Sequence, residues 1–259
     1  MQKFGFKIFS TNLRTAPQLI KECADFAMTQ SDIFIELMIA ASSEESDLKK
    51  IKEQIGNIEV RIHAPYHAMG FDTGNKELEQ SNKKILALSQ KAADIFNSQT
   101  IVVHAGCEHG RKYISETARQ FKLFNDSRII VENLPLFATN GKKLHGNTAE
   151  EIKYIMAESG CGFCFDFSHA ICAAIGLNKN IETQLQSFFS LNPNIYHMCD
   201  GYIDKAEDSH MHFGTGNYPL KHLLTDFTDK NAYITMETGK GIIQHPDIWI
   251  KDYNYLKSL

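Results

Sequence analysis

The architecture can be read from Arg128-Ile129-Ile130-Val131-Glu132-Asn133. Three β-branched residues in succession suit a short strand covered on both faces, as in a parallel sheet. The carboxylate that follows has to sit where the strand runs out of apolar company. On either side, Thr100-Ile101-Val102-Val103-His104 and Gly162-Phe163-Cys164-Phe165-Asp166 repeat the arrangement, an apolar run that stops on a titratable residue. Segments of helical period fill the intervals. The alternation extends along the whole chain, with strands expected at 3–9, 32–38, 59–63, 100–104, 128–132, 162–166, 195–197 and 232–237. That is roughly one βα unit every 30 residues. Eight units without a composition break predict an α/β chain folded as a (β/α)8 barrel, one domain over residues 1–259. An open doubly wound sheet would need a glycine-rich phosphate turn after the first strand, and Ser10-Thr11-Asn12-Leu13 is not one.

The helices carry their own signals. Pro17 stands at a first-turn position, with Leu19, Ile20, Cys23, Phe26 and Ala27 on one face. Leu78, Ile85, Leu88, Ala92 and Ile95 predict a second buried stripe, and Thr148 followed by Glu151 predicts a capping box. With 43% hydrophobic and 22% charged residues the chain has the balance of an ordinary globular protein, not a disordered one. Lys plus Arg number 27 against 31 Asp plus Glu, a formal net charge of −4. That argues against a charge-driven nucleic-acid binder but leaves room for a local positive site. No apolar run approaches the ~20 residues of a membrane span, and the opening MQKFGFKIFSTNLRT lacks a signal-peptide core. A cytoplasmic protein with no membrane partner and mostly reduced cysteines is expected. Cys161-x-x-Cys164 has redox spacing but runs straight into a strand, so it is read as structural.

Metal-type residues recur where strands three to eight should finish: His63, His104, Glu132, Asp166 with His169, His197, and Glu237, together with Asp208 and His210 in the preceding loop. Any one of them is more often a satisfied polar residue than a ligand. Asp166-x-x-His169 needs a turn before its side chains can meet, whereas Asp208 and His210, two apart in an extended loop, would point the same way. The joint pattern is informative because the C-terminal strand ends of a barrel converge on one axis. Four buried carboxylates without partners would cost several kcal/mol apiece, so a metal is the expected neutraliser. Imidazole and carboxylate without thiolate suit zinc, with manganese or iron as alternatives.

Gly162-Phe163-Cys164-Phe165-Asp166-Phe167-Ser168-His169 and Asp208-Ser209-His210-Met211-His212-Phe213-Gly214 resemble two signatures of the endonuclease IV family, the class II apurinic/apyrimidinic endonucleases, within the xylose-isomerase-like barrels. The resemblance runs from strand three to strand eight. It implies a trinuclear metal site with up to three zinc ions per chain. His63, His104 and Glu132 would hold the first ion. Glu132 would bridge to a second, held also by Asp166, His197 and Glu237, and His169, Asp208 and His210 would take the third. It further implies phosphodiester hydrolysis by a metal-bridging hydroxide, with Glu132 and Glu237 as catalytic carboxylates and DNA repair as the family's role. Tyr66 matches a family position near the pocket, and His212 is expected to contact substrate.

The chain departs from the family at Phe167, at Cys199 and at His67-Ala68-Met69-Gly70. After strand two it reads Ala40-Ala41-Ser42-Ser43, where the endonucleases carry a longer loop that penetrates the duplex. Arg14, Arg111, Lys112, Lys142, Lys143 and Lys240 fall in upper loops and are either phosphate contacts or solvated charge. Two further readings therefore stand beside the phosphodiester substrate. A divalent-metal sugar isomerase or epimerase would need only Glu132, Asp166, His197 and Glu237 for one ion, and Glu36 in Phe34-Ile35-Glu36-Leu37 fits that wider pattern. A barrel retained as a non-catalytic binding module is the other.

Overall fold

The computed structural model describes residues 1–109, 114–239 and 243–259. Eight strands run in chain order: β1 Lys3–Phe9, β2 Ile33–Met38, β3 Val60–His63, β4 Ile101–His104, β5 Ile129–Glu132, β6 Gly162–Asp166, β7 Ile195–Met198 and β8 Tyr233–Met236. All eight pair parallel, and β8 returns to β1 through Phe4↔Ile234 and Phe6↔Met236, closing the barrel. Ten α-helices are assigned among the described residues: α1 Asn12–Thr15, α2 Pro17–Thr29, α3 Glu45–Ile55, α4 Glu79–Phe96, α5 Ile114–Phe124, α6 Ala149–Ser159, α7 Phe167–Gly176, α8 Ile181–Phe189, α9 Leu220–Asp226 and α10 Asp247–Lys257. The expected one-helix-per-strand pattern is thus doubled after β1 and after β6. None of these helices is long and apolar enough to cross a membrane.

Two helical expectations need correction. The buried face of α4 carries Asn82, Leu86, Ser89, Ala93 and Phe96 beside Ala92, while Ile85, Leu88 and Ile95 are only partly buried. A polar demand turned the helix: Asn82 bonds both backbone groups of Asp72 and the side chain of Gln120. At α6, Thr148 caps the Glu151 amide, but Glu151 gives its carboxylate to the Gly146 and Asn147 amides instead of closing a box.

The pleat sorts side chains into an outward set that meets the helices and an inward set that fills the barrel. On β1, Phe4, Phe6 and Ile8 belong to the outer core. Phe34, Val102, Ile130, Cys164 and Ile195 form a separate cluster across the interior, with Tyr233 packed on it. Below, Lys3 and Arg61 both pair with Glu59 at 2.7 Å, and the Arg61 guanidinium lies over the Tyr233 ring. The barrel is therefore plugged at its lower end, and the C-terminal end of the sheet stays open.

Gly5 makes this plug possible. A Cβ there would lie 2.4 Å from Phe34 Cζ, and Phe34 is fully buried and edge-on to Tyr233 at 5.4 Å. Gly5→Val is expected to destabilise by about 1–3 kcal/mol through overpacking. Thermal unfolding should show a drop of roughly 2–4 °C per kcal/mol, and an unchanged Tm would refute the packing account.

Candidate metal centre

The site is built from the last residues of the inward set. His63, His104, Glu132 and Asp166 terminate β3, β4, β5 and β6, His197 is the third residue of β7, and Glu237 follows β8. Register places His104 beside Glu132 and Asp166 beside His197. Asp166 caps α7 by accepting the His169 amide at 2.7 Å, which supplies the turn that brings His169 into the cup. Asp208 and His210 also meet, His210 Nε2 lying 2.6 Å from Asp208 Oδ2. They do so through a kink, not an extended loop, since His210 has φ +47°. A non-glycine residue there carries about 1–3 kcal/mol of strain, a conformation that clusters at functional sites.

Four imidazoles are each anchored by one nitrogen and present the other to the cup. His63 Nδ1 donates to the Ala64 carbonyl at 2.7 Å, His169 Nδ1 to the Asn133 carbonyl at 2.9 Å and His210 Nδ1 to the Glu237 carbonyl at 2.7 Å. Since a carbonyl only accepts, Nδ1 must carry the proton and Nε2 is left facing the acids. His197 is held the other way round, with Nε2 2.9 Å from Glu36 Oε2 and Nδ1 toward the cup. Anchored imidazoles of this kind are how proteins orient metal ligands. His104 Nδ1 is buried without a partner among the described residues.

Glu132 lies at the centre, fully buried, with His63, His104, His169 and His197 at 3.1, 3.2, 3.3 and 3.3 Å. Burial alone would raise its pKa, but the His104 and His197 imidazoles outweigh that and hold it well below the usual carboxylate range. Asp166 is pushed up to about 7, by burial first and then by repulsion from Glu237, Glu132 and Asp208. Burial also pushes His104 down to about 4. For His210 burial acts downward, yet Asp208 and Glu237 carry it up to about 9.

Several supporting residues were not legible beforehand. Lys7 contacts Glu237 Oε1 and lies 3.5 Å from Glu36 Oε1, and these acids overcome burial to keep it charged. Asn133 sews β5 to β6, its side chain bonding both the amide and the carbonyl of Asp166 at 2.8 Å. Ser168 donates to Asp208 Oδ1 at 2.7 Å, and Asp200 accepts the Gly214, Gly216 and Tyr218 amides, shaping the loop that follows His210.

Above the cup opens a cavity of about 550 Å³, lined at the bottom by Lys7, His104, His169, Asp208, His210 and Glu237 and on its walls by residues such as Phe9, Met38, Phe137, Met236 and Trp249. Tyr66 lines it too, stacked on His104 at 5.2 Å. His212 does not; its Nδ1 lies 2.7 Å from Asp252 and ties the loop to α10. His67 lines the cavity, whereas Phe167 stacks on Tyr196 within the core. Cys199 is buried 4.0 Å from Asp208. Of the loop cations, Arg14 and Lys143 are engaged by Asp47 and Glu108, and Arg111, Lys112 and Lys240 lie outside the described residues. All six cysteines are free. Burial raises the Cys164 thiol, making it a poor ligand although it borders Glu132 and His197.

Among the described residues five groups bring one ligand atom per residue within 4.8 Å of one another: His63, His104 and Glu132; Glu132, Asp166, His197 and Glu237; His169, Asp208 and His210; Glu36, His63, His197 and Glu237; and Glu132, Cys164 and His197. Each could hold a metal ion, and the nitrogen and oxygen donors of the first four suit one chemically. The sequence profile of the xylose isomerase-like TIM barrel family matches residues 3–259. The chain belongs to that family. It is 22% identical over 190 residues to Probable endonuclease 4 of Mycobacterium leprae (strain Br4923), covering 70% of this chain and 73% of that protein. The endonuclease IV structure from Thermus thermophilus superposes with TM-score 0.67 at 19% identity, over 99% of this chain and 98% of the other. A D-tagatose 3-epimerase-like protein gives TM-score 0.67 at 18% identity, over 99% and 96%. What the two superposed structures share with this chain is the fold.

The His210 shift gives a pH test on metal-free protein. Its folded pKa of about 9 exceeds the ordinary 6.5, so its stabilising contribution is complete below about 6.5 and is lost as pH rises through about 9. After chelation, Tm should fall across that window, and His210→Asn should flatten the fall. An equal fall in the variant would assign it elsewhere.

Proposed function

We propose that this chain is a metal-dependent phosphodiester hydrolase, its ions held by His63, His104, Glu132, Asp166, His169, His197, Asp208, His210 and Glu237. The observation that carries the reading is that three of the five groups at ligand distance together take in all nine of those residues, two of the three sharing Glu132. One-metal sugar chemistry employs four of the nine and leaves the other five, among them the anchored His63, His169 and His210, without a task. Zinc is the first choice for such donors, with manganese or iron as alternatives. Bound divalent ions would supply an activated water near neutral pH and offset phosphate charge. Glu132, central and unprotonated, orients the attacking water and takes its proton. Glu237 is the second catalytic carboxylate, and Tyr66 covers the substrate from the His104 side.

A small phosphodiester fits the site better than duplex DNA. The cavity has the size of a small-molecule pocket. The loop after β2 is tied down, Ser10 Oγ accepting the Ala40 amide at 2.8 Å and pairing with Ser43 Oγ at 2.8 Å. It offers no arm to insert into a duplex. The same enclosure, with Lys7 and Glu36 beneath Glu237, favours a divalent-metal sugar isomerase or epimerase as the second reading. A cytoplasmic location accords with six free thiols.

Elemental analysis of metal-supplemented protein separates the two. Near three ions per chain is expected, together with hydrolysis of bis(4-nitrophenyl) phosphate in preference to abasic duplex. His169→Ala should bind one ion fewer and lose roughly 10²–10³-fold in kcat/KM. A single ion with ketose–aldose activity would give the site to the isomerase reading.

A further inference from the structure

His197 differs from the other anchored imidazoles in its partner. Three are held by neutral backbone carbonyls, whereas His197 Nε2 faces the Glu36 carboxylate at 2.9 Å, with both side chains fully buried. Glu36 is itself fixed: its Oε2 also accepts the Thr235 hydroxyl at 2.7 Å, and its Oε1, without a hydrogen bond among the described residues, faces Lys7 at 3.5 Å. Register dictates this cluster, since Lys7 pairs with Glu36 across β1 and β2, and His197 with Thr235 across β7 and β8. Lys7 also reaches Glu237, so Glu36, His197, Glu237 and Lys7 form a closed ring of polar contacts. Glu36, His63, His197 and Glu237 make a further group at ligand distance, and here the chain supplies its own cation, the Lys7 ammonium.

We propose that Glu36 is the positioning residue for His197: its carboxylate holds the proton on Nε2 and so turns the Nδ1 lone pair toward Glu132, Asp166 and Glu237, while Lys7 supplies the counter-charge. This rests on the reading of the cup as a metal site. A carboxylate behind an imidazole raises its basicity as well as fixing its orientation, and removing such a partner typically lowers metal affinity 10–100-fold. Glu36 therefore strengthens one ion position out of three. Lys7 acts on the same position in the opposite sense, because it competes for the Glu237 oxygen.

The test is competitive titration of chelator-stripped full-length protein with Zn²⁺ against a chromophoric chelator, repeated with Co²⁺ to follow the visible spectrum. Glu36→Gln keeps an acceptor in place but removes the charge. It should weaken one ion per chain about 10–100-fold and alter one set of Co²⁺ bands, leaving the other ions unchanged. Thr235→Val, which removes only the hydroxyl bond, should weaken the same ion less, and it supplies the measurement if Glu36→Gln does not fold. Lys7→Met should tighten that ion. A purely structural role for Glu36 would lower the Tm of the stripped protein without selective loss of one ion, and that result overturns the proposal. Wild-type protein that binds no divalent ion would instead overturn the metal reading itself. Wild-type protein that binds ions with affinities matched by Glu36→Gln would overturn only the role given to Glu36.

Discussion

Glu132 is a carboxylate with no access to water, and four imidazoles stand within 3.3 Å of it. A buried charge persists only if its surroundings return the solvation it has lost. Each of those imidazoles comes from a different element, namely β3, β4, β7 and the first turn of α7. The arrangement exists only if the barrel closes in one register. A slip of one residue at any pair would turn a strand's inward set outward and leave the acid without partners. Barrel closure and the charge balance of the cup are thus two aspects of one constraint.

The same parity explains what sequence could and could not reveal. His63, His104, Glu132, Asp166 and Glu237 were legible because each stops an apolar run, a position where a titratable side chain has no packing purpose. Lys7 was not. It alternates with Phe4, Phe6 and Ile8, which reads as an exposed polar face, but in a barrel those apolar residues face the helices and the polar alternates face the axis. Only closure through β8 shows that Lys7 points into the cup. The convergence of Asp208 and His210 was foreseen for the wrong reason, because a positive φ is not written in residue spacing. On α4 the hydrophobic stripe misled because Asn82, polar and fully buried against Gln120 of α5, takes a place that periodicity assigns to an apolar residue.

Identity near 20% to endonuclease relatives together with equally good superposition on an epimerase-like barrel has a physical basis. Four strand-end residues, Glu132, Asp166, His197 and Glu237, lie at ligand distance and could hold one ion in either of the proposed chemistries. The distinction lies in what surrounds them: the flanking His63/His104 and His169/Asp208/His210 groups on one side, and the low, tethered loop after β2 on the other. The fold supplies the axis, and the loops decide what can approach it.

The interior cluster around Phe34, with Gly5 giving it room, makes the barrel a blind vessel and not a conduit. Traffic is one-way in geometry and two-way in time. Among the described residues, what reaches the acids has its way out at the same end of the barrel. On the hydrolase reading a departing product and the next substrate would share the mouth above the acids, and Phe9, Phe137 and Trp249 are apolar walls that both would pass.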